Sequence, residues 1–272
     1  MIKLIKNVLR FFLKRPYVQL KKTFNGFGEK RKCYVCQHTF NHFTKFRGGL
    51  KNFSEFLRSL QMVGSDLDNF GCMYCNSNDR ERHLFMFFDK LQLWEKLKNS
   101  KIIHIAPEAN LRKKIEDQLP DYYITGDLYP DEDKNIIKID ITKIQFDDNT
   151  FDFFICNHVL EHVHELDKAL SEIFRVLNTN GLAVLQTPFS KLLNRNFEEE
   201  NINTDKLRIF FYAQEDHVRL FSEKQFLADI EKAGFVLQIQ RHNDFFDDDT
   251  SKYFGVNNKE DLILVRKPAT VN

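Results

Sequence analysis

The chain has 272 residues, of which 42% are hydrophobic, so it can bury a substantial core and fits one domain of roughly 150 to 200 residues beside a smaller module. This composition excludes an intrinsically disordered chain. The 40 Lys and Arg residues against 39 Asp and Glu residues give a net charge of +1, so the overall charge does not demand a polyanionic partner.

Positive charge is concentrated at the amino terminus. Residues 1–32 hold ten Lys and Arg residues and one acid, Glu29, a net of +9 that leaves −8 for the rest of a chain whose total is +1. The sequence MIKLIKNVLRFFLKRP predicts a helix, ended by Pro16, with basic and apolar side chains on opposite faces. The basic positions are Lys3, Lys6, Arg10 and Lys14, and the apolar ones are Ile5, Val8, Leu9 and Phe12.

This terminal segment is predicted neither to span a membrane nor to be a signal peptide, because charges recur at every turn and no small-residue cleavage site follows. A helix packed on the protein, or a frayed basic terminus, is the favoured interpretation. Contact of residues 1–15 with an anionic membrane surface is the alternative. We therefore expect a cytoplasmic protein, which would be peripheral at the inner membrane surface under that alternative.

Four of the five cysteines form two Cys-x-x-Cys pairs, Cys33 with Cys36 and Cys72 with Cys75, separated by 35 residues. Two such pairs supply four thiolates to a tetrahedral zinc ion, and this closed shell predicts a structural metal. A redox dithiol and a coincidental spacing are the alternatives, and disulfides are disfavoured without a secretory signal. The segment between the pairs must fold back as an insertion, with a helix expected within residues 50–63.

Three regions follow from these patterns: a basic amphipathic segment (1–30), a zinc-ribbon-like module with a linking helix (31–98), and a larger domain (99–268). Asn78 or Asp79 can cap the linking helix. The apolar side of that helix is predicted to comprise Leu84, Phe87, Phe88, Leu91 and Trp94.

Short apolar runs alternate with helical segments from residue 101 onward. The runs KIIHIA, YYITGDL, NIIKIDI, FDFFICN and GLAVLQTP predict strands of a parallel sheet with right-handed crossovers. Helices are expected through Leu111 and Ile115, over residues 165–177 and over residues 223–233. The last two strands, FVLQIQR and LILVRK, are joined by the acidic segment FFDDDTSKYFGVNNKED, interpreted as a loop, so they should pair antiparallel.

Polar side chains end three of these predicted strands. Asp127 ends the second strand, Asp140 the third, and Asn157 and His158 end the fourth, all at the edge where open α/β sheets bind ligands. The first acid could bind ribose hydroxyls and the second an adenine amino group. Each acid taken alone is also typical of a helix cap or a solvated turn, and a capped strand and helix is the alternative for FDFFICNHVLEHV.

The turn after the first strand contains no glycine, although nucleotide folds usually have a glycine-rich turn there. A dinucleotide pyrophosphate needs close backbone approach at this turn, so nicotinamide and flavin cofactors are disfavoured. S-adenosylmethionine carries no phosphate, and Glu108 could bind the ammonium of its amino acid tail while Ala106 and Pro107 shape the turn. Pro107 and Glu108 also suit the start of a helix.

Together, HIAPE, YYITGDLYP, ICNHVLEHV and QEDHVRLF, preceded by two Cys-x-x-Cys pairs, resemble a bacterial subgroup of the class I, type 11 methyltransferases with an amino-terminal zinc-ribbon-like module. The resemblance covers roughly residues 30 to 267. It implies a Rossmann-like seven-stranded sheet with an antiparallel last strand, and S-adenosylmethionine as cofactor. The wider class has a glycine-rich first turn, whereas the subgroup has turns like HIAPE.

The resemblance also assigns cofactor-binding positions along the sheet edge. The methionine tail would lie at Ala106, Pro107 and Glu108. Asp127 would occupy the ribose position, with Leu128 as a further cofactor contact, and Asp140 and Ile141 would occupy the adenine position. Asn157 and His158 would lie at the edge of the fourth strand and face the cofactor and the substrate.

Methyl transfer requires an acceptor positioned against the methyl group, and a base if the acceptor is a hydroxyl. We predict His217 as that base, with His158 and Asp216 as further catalytic candidates and Glu215 nearby. His162, one helical turn beyond His158, is interpreted as structural. Arg219 could bind an acidic group of the substrate, with a surface salt bridge as the alternative.

The leading hypothesis is therefore a methyltransferase acting on a small-molecule or glycan-type hydroxyl, in which the zinc module gates or docks the substrate. The glycan part rests on the resemblance alone. RNA methylation is the second hypothesis, and the net charge of −8 outside the basic segment argues against a nucleic-acid partner. A non-catalytic binding protein that kept the fold is the third.

Overall fold

The structure is a computed structural model that describes residues 29–118, 120, 122–130 and 135–269. The predicted amphipathic helix of residues 1–16 lies outside this part of the chain. Within the described ranges, no helix is both long and apolar enough to cross a membrane.

Short elements form the amino-terminal region. Its strands are β1 (Arg31–Lys32), β2 (Thr39–Phe40) and β3 (Met62–Val63), and its helices are a 3-10 turn at Leu50–Asn52 and α1 (Glu55–Ser59). The helix expected within residues 50–63 is therefore a single short turn of α-helix. Ser54 caps its start through Leu57 N, and Gln61, with a φ of 46°, turns the chain into β3.

The linking helix and the larger domain, from residue 79 onward, contain nine strands and seven α-helices within their described residues. The helices are α2 (Asp79–Lys90), α3 (Leu93–Leu97), α4 (Ala109–Glu116), α5 (Leu166–Val176), α6 (Asp205–Tyr212), α7 (Glu223–Lys232) and α8 (Asp248–Phe254). The strands are β4 (Lys101–Ile105), β5 (Tyr122–Asp127), β6 (Ile137–Lys138), β7 (Phe151–Asn157), β8 (Leu177–Gln186), β9 (Phe189–Ser190), β10 (Phe221–Ser222), β11 (Val236–Leu237) and β12 (Leu264–Arg266).

Seven of these strands form one sheet in the order β11-β12-β8-β7-β4-β5-β6. The five strands from β8 to β6 are parallel, while β12 runs antiparallel to both of its neighbours. This arrangement confirms the predicted Rossmann-like sheet with an antiparallel last strand.

The sheet is buried on both faces, which explains why its central strand reads as a continuous apolar run. Successive side chains of β7 point to opposite faces, so Phe154 and Cys156 join one core cluster while Phe153 and Ile155 join the other. The second cluster also contains α2 side chains such as Phe88. The linking helix thus packs directly on the sheet.

Two predicted elements differ in the structure. The linking helix is capped by Asn78, as expected, but ends at Lys90, because Gln92 has a φ of 54° and Trp94 falls in the separate helix α3. The acidic segment predicted as a loop contains a 3-10 turn at His242–Asp244 and the helix α8. Asp247 caps α8 and Gly255, at a φ of 62°, ends it, which is an ordinary helix signature.

Candidate functional site

The four predicted zinc ligands come together, with one sulfur from each of Cys33, Cys36, Cys72 and Cys75 within 4.8 Å of the others. The Sγ atoms of Cys33 and Cys75 are 3.7 Å apart, and so are those of Cys36 and Cys72. Zinc bonds of about 2.3 Å place tetrahedral sulfurs about 3.8 Å apart, so both of these distances match a tetrahedral zinc site. A disulfide is excluded at these distances.

The two Cys-x-x-Cys pairs form matching turns. Each first cysteine accepts a hydrogen bond from the residue four positions later, Gln37 N to Cys33 O at 2.9 Å and Asn76 N to Cys72 O at 3.0 Å. Gln37 and Asn76 both adopt left-handed conformations, with φ of 63° and 60°. Cys156, by contrast, lies alone in the sheet, where burial raises the pKa of its thiol.

The insertion between the cysteine pairs reaches across to the sheet domain. Its strand β3 pairs antiparallel with β9, the short strand that follows β8 in the chain. Next to this pairing, Ser190 Oγ donates to Leu60 O at 2.7 Å. On the far side, Ser54 Oγ donates to Phe210 O at 2.7 Å, and Arg47 pairs with Glu215 at 2.8 Å. The insertion is therefore held to the domain at both of its ends.

A cavity of about 440 Å³ lies between the insertion and the sheet domain. This volume is within the range of sites that bind small molecules, roughly 300 to 1,000 Å³. The insertion contributes a largely apolar wall that includes Phe46, Phe53 and Leu57, and the domain contributes His158 and His217. Two of the three predicted catalytic candidates therefore share the wall of one cavity.

Three predicted cofactor positions lie side by side at the carboxyl edge of the sheet. The central strand β4 pairs with both β5 and β7, and Ile105 lies opposite Gly126 on one side and Cys156 on the other. The next residue of each strand is Ala106, Asp127 and Asn157. The sheet register thus brings together residues that are up to 51 positions apart in the sequence.

The turn after β4 adopts a glycine-like conformation without glycine. Ala106 has a φ of 50°, in the left-handed region, and its N–H donates to Gly126 O at 2.8 Å. Glu108 precedes α4, and its side chain accepts a hydrogen bond from His104 Nε2 at 3.0 Å instead of capping the helix. Burial raises the pKa of Glu108, but His104 outweighs burial and the net pKa is lowered.

Helix α4 is capped by a residue that the sequence did not indicate. The carboxylate of Glu81, from α2, accepts hydrogen bonds from Asn110 N at 2.9 Å and Leu111 N at 2.8 Å. The linking helix therefore supports the turn at which the methionine tail is expected.

The two acids at the strand ends are held by local turns. Asp127 accepts a hydrogen bond from Tyr129 N at 2.8 Å, and Asp140 accepts from Thr142 N at 2.9 Å and Thr142 Oγ1 at 2.7 Å. The Thr142 hydrogen bonds lower the pKa of Asp140. Of their neighbours, Leu128 is exposed and Ile141 is buried. These contacts fit a turn role, and the predicted roles in ribose and adenine binding stay predictions.

Buried polar atoms without partners mark the end of β7. Among the described residues, neither polar side-chain atom of Asn157 has a hydrogen-bond partner, and neither has His158 Nε2, which lies 4.0 Å from Glu260 Oε1. His158 has a φ of 53°, and its Nδ1 lies 3.2 Å from Glu161 Oε1. Unsatisfied buried polar groups are unfavourable by roughly 1 to 3 kcal/mol each, so this strand end suits a polar ligand.

His217 is buried with both ring nitrogens engaged. Because Tyr212 O can only accept, Nδ1 at 2.8 Å carries the proton, and Nε2 accepts from the Gln214 amide at 3.0 Å. Burial lowers the pKa of His217 to about 4. His217 is therefore neutral near pH 7 and is a weak base in this arrangement.

Glu161 is the residue that connects these histidines, and it was not predicted as a site residue. Its carboxylate contacts His158 and accepts from Thr187 Oγ1 at 3.1 Å. Burial raises the pKa of Glu161, but hydrogen bonding and charge from His158 outweigh it and lower the pKa to about 2. In the sequence, the position of Glu161 three residues after His158, at the end of a predicted strand, could have indicated that the two side chains meet.

The other residues of the predicted site lie around its edge. Asp216 is exposed and lies 3.4 Å from His162 Nδ1, and Glu215 pairs with Arg47 from the insertion. Arg219 is 3% exposed, and its guanidinium binds Glu198 and three backbone carbonyls. It is therefore an internal connector, neither a surface salt bridge nor a free anion-binding group.

Arg80 is a further residue that the sequence analysis missed. It lines the cavity, and also a smaller space formed with His158 and Glu260, and its Nε is buried without a partner in the described structure. Burial raises the pKa of Glu108 and of Glu260, but the neighbouring histidines and, after them, the charge of Arg80 lower both pKa values.

Comparison with known proteins gives one family match. Residues 92–185 match a family model described as "Methyltransferase domain". A search of curated proteins finds no match.

Solved structures with similar folds include an S-adenosylmethionine-dependent methyltransferase from Mesorhizobium loti, at 13% identity and a TM-score of 0.49 over 66% of this chain and 97% of that one. Burkholderia thailandensis 1,6-didemethyltoxoflavin-N1-methyltransferase is 14% identical, with a TM-score of 0.46 over 68% of this chain and 78% of that one. The YcgJ protein of Bacillus subtilis is 14% identical, with a TM-score of 0.43 over 65% of this chain and 97% of that one.

The strand order of the seven-stranded sheet is that of the Rossmann-like methyltransferase fold. Residues 92–185 match the methyltransferase-domain family model, and a four-cysteine group able to hold a metal precedes them.

Proposed function

We propose that this protein is an S-adenosylmethionine-dependent methyltransferase acting on a hydroxyl group of a small-molecule or glycan-type acceptor. The observation that carries the proposal is the cavity of about 440 Å³ whose wall includes His158, at the end of the strand that also supplies Asn157 to the cofactor edge. An acceptor in this cavity would lie beside a cofactor bound along that edge.

The residues at this edge fit S-adenosylmethionine. Asp127 would bind the ribose hydroxyls, Asp140 and Ile141 would contact the adenine, and Glu108 would bind the ammonium of the methionine tail. Asn157 would satisfy its unpartnered amide against the bound cofactor. Arg80, whose Nε–H is also unpartnered, has the charge to bind the carboxylate of the tail.

When bound, S-adenosylmethionine supplies an electrophilic methyl group on its sulfonium sulfur. His158, which lines the cavity, would accept the proton of the acceptor hydroxyl, because its Nε2 makes no hydrogen bond to the described residues and its Nδ1 is oriented by Glu161. The ionised Glu161 carboxylate would stabilise the imidazolium that forms. His217, the base predicted from the sequence, would shape the cavity beside it.

The four cysteines would hold a structural zinc ion. With four sulfurs at tetrahedral spacing, no position is left for a substrate. Its role would be to fix the insertion that forms the outer wall of the cavity.

The proposal is tested with zinc-loaded protein, tritiated S-adenosylmethionine and three acceptor sets: glycans, small hydroxyl compounds and RNA. We expect label in a hydroxyl-bearing acceptor of the first two sets. His158→Gln should lower kcat by about 100-fold or more while S-adenosylhomocysteine affinity is unchanged.

The control is His164→Ala, an exposed histidine of the same segment, which should transfer methyl groups like the unmodified protein. Label in RNA alone would support the second hypothesis and contradict this one. No transfer to any acceptor by protein that binds the cofactor would also contradict the proposed hydroxyl acceptor.

A further inference from the structure

A second group of potential metal ligands lies beside the cavity, well removed in sequence from the four cysteines. Glu161, His162 and His217 each place one ligand atom within 4.8 Å of the others. The first two are consecutive on the 3-10 turn Leu160–His162, and Val218 N donates to Glu161 O at 2.9 Å, which fixes His217 against that turn. Backbone structure therefore holds the three side chains together.

Both imidazoles are oriented as metal ligands usually are. His217 donates from Nδ1 to Tyr212 O at 2.8 Å, and His162 directs Nδ1 at Asp216 O, 3.2 Å away, and at the Asp216 carboxylate. In each ring the proton is on Nδ1, so Nε2 carries the electron pair, which in His217 accepts a hydrogen bond from the Gln214 amide. Metal-bound histidines typically donate their other N–H to a carbonyl or carboxylate in this way.

The carboxylate of the group is supported in the same manner. Glu161 is 1% exposed, and its two oxygens lie at hydrogen-bond distance from His158 Nδ1 and Thr187 Oγ1. One imidazole would be enough to form an ion pair with this buried carboxylate. Three imidazoles lie near it, those of His158, His162 and His217. His162, about one-third exposed, opens the group to solvent and gives an ion a path of entry.

From this arrangement we infer that Glu161, His162 and His217 form a second, nitrogen- and oxygen-type site for a divalent transition metal ion. Bonds of about 2.1 Å would place ligand atoms about 3.0 to 3.5 Å apart, so side-chain rotations would have to shorten the present spacing of up to 4.8 Å. The half-buried Gln214 amide, now bonded to His217 Nε2, would have to give way. Two imidazoles and one carboxylate favour zinc, cobalt, iron or manganese over magnesium.

The role of the ion follows from the place of His217 in the cavity wall. Three protein ligands leave coordination positions open, and an oxygen of the acceptor could fill one of them. The ion would thus position the acceptor hydroxyl near His158. This role rests on the proposed function, whereas metal binding itself does not.

Cobalt(II) alone is the probe, because it binds imidazole sites well and its spectrum distinguishes thiolate from nitrogen and oxygen ligands. Protein with one zinc per chain is dialysed against Co²⁺ without S-adenosylmethionine, and both metals are quantified. We expect one cobalt per chain in addition to the zinc, with weak visible bands and without the strong near-ultraviolet absorption of cobalt thiolates.

Three variants make the test specific. His162→Ala, at a partly exposed position, and Glu161→Gln, of nearly the same shape, should each weaken cobalt binding by about tenfold or more. His164→Ala should bind cobalt like the unmodified protein. Cobalt that enters only by displacing zinc, or a second cobalt unaffected by both substitutions, would overturn the inference.

Affinity for S-adenosylhomocysteine is measured on the same samples. Cofactor binding without a second metal would contradict the metal site and leave the proposed function intact. A second metal in protein that binds no cofactor would support the site and contradict the proposed function.

Discussion

Replacing Cys72 by serine is expected to release the zinc ion and unfold the insertion. Structural zinc contributes about 10 to 16 kcal/mol of binding free energy that is coupled to folding. Cys72 is buried, and its neighbours in the insertion would depend on the metal for their position, because only short strands, a 3-10 turn and one turn of α-helix order this region. We expect a loss of several kcal/mol in the free energy of unfolding and a fall in Tm of about 10 °C or more.

Metal analysis, thermal unfolding and limited proteolysis between residues 37 and 71 measure these effects. Cys156→Ala is the matched control, since Cys156 is also buried but lies in the sheet, away from the four ligands. It should keep one zinc per chain and protection of the insertion. A Cys72→Ser protein that retains both zinc and protease resistance would show that the four cysteines are not a structural metal site.

Substitution of Arg82 by methionine is expected to be similarly severe. This arginine is completely buried, and its guanidinium donates five hydrogen bonds to backbone carbonyls while stacking 3.8 Å above the Phe43 ring. The acceptors are Asn69, Phe70, Ser77, Phe254 and Gly255. The side chain thus joins the insertion, the second cysteine turn and the end of α8.

The charge of Arg82 also has an electrostatic function. Zinc with four thiolates carries a net charge of −2, and Cys33, Cys72 and Cys75 favour the charged guanidinium, although burial lowers its pKa overall. Methionine would remove all five of these hydrogen bonds and leave the thiolate cluster without its counter-charge. A loss of about 3 to 5 kcal/mol in the free energy of unfolding is expected.

Urea unfolding of the zinc-saturated protein measures this loss. Arg58→Met is the control, because the Arg58 side chain is 43% exposed and its contact with Glu55 at 3.8 Å is a surface ion pair. Such pairs contribute about 1 kcal/mol at most. Equal stabilities of the two variants would contradict the structural role of Arg82.

The sheet was predictable from the sequence because its strands are apolar on both faces and alternate with amphipathic helices. The grouping of Ala106, Asp127 and Asn157 followed from the same pattern, since parallel strands place their carboxyl ends at one edge. The four-cysteine group was also predictable, because two Cys-x-x-Cys pairs in one chain are typical of a zinc site.

The cavity could not be read from the sequence. Its outer wall comes from the insertion, which reaches the sheet domain through the two-residue strand β3 and through Ser54 and Arg47. Such contacts have no periodic signal. The roles of His217 and Arg219 were equally hidden, because they depend on which carbonyls and carboxylates the fold brings to those side chains.

The missed helix α8 has a different cause. The segment FFDDDTSKYFGVNNKED contains a capping aspartate and a terminal glycine at helical spacing, but its acidic composition favoured a loop. Local capping chemistry decided the conformation there, and average polarity was the weaker signal.

Calorimetric titration of zinc-quantified protein with S-adenosylmethionine and S-adenosylhomocysteine tests the central claim most directly. We predict micromolar binding of both, weakened at least about tenfold by Asp127→Ala, since the carboxylate would bind two ribose hydroxyls. Asp167→Ala, an exposed acid of α5, should bind like the unmodified protein. Absence of binding by folded protein that holds one zinc, or equal binding by Asp127→Ala, would contradict the account.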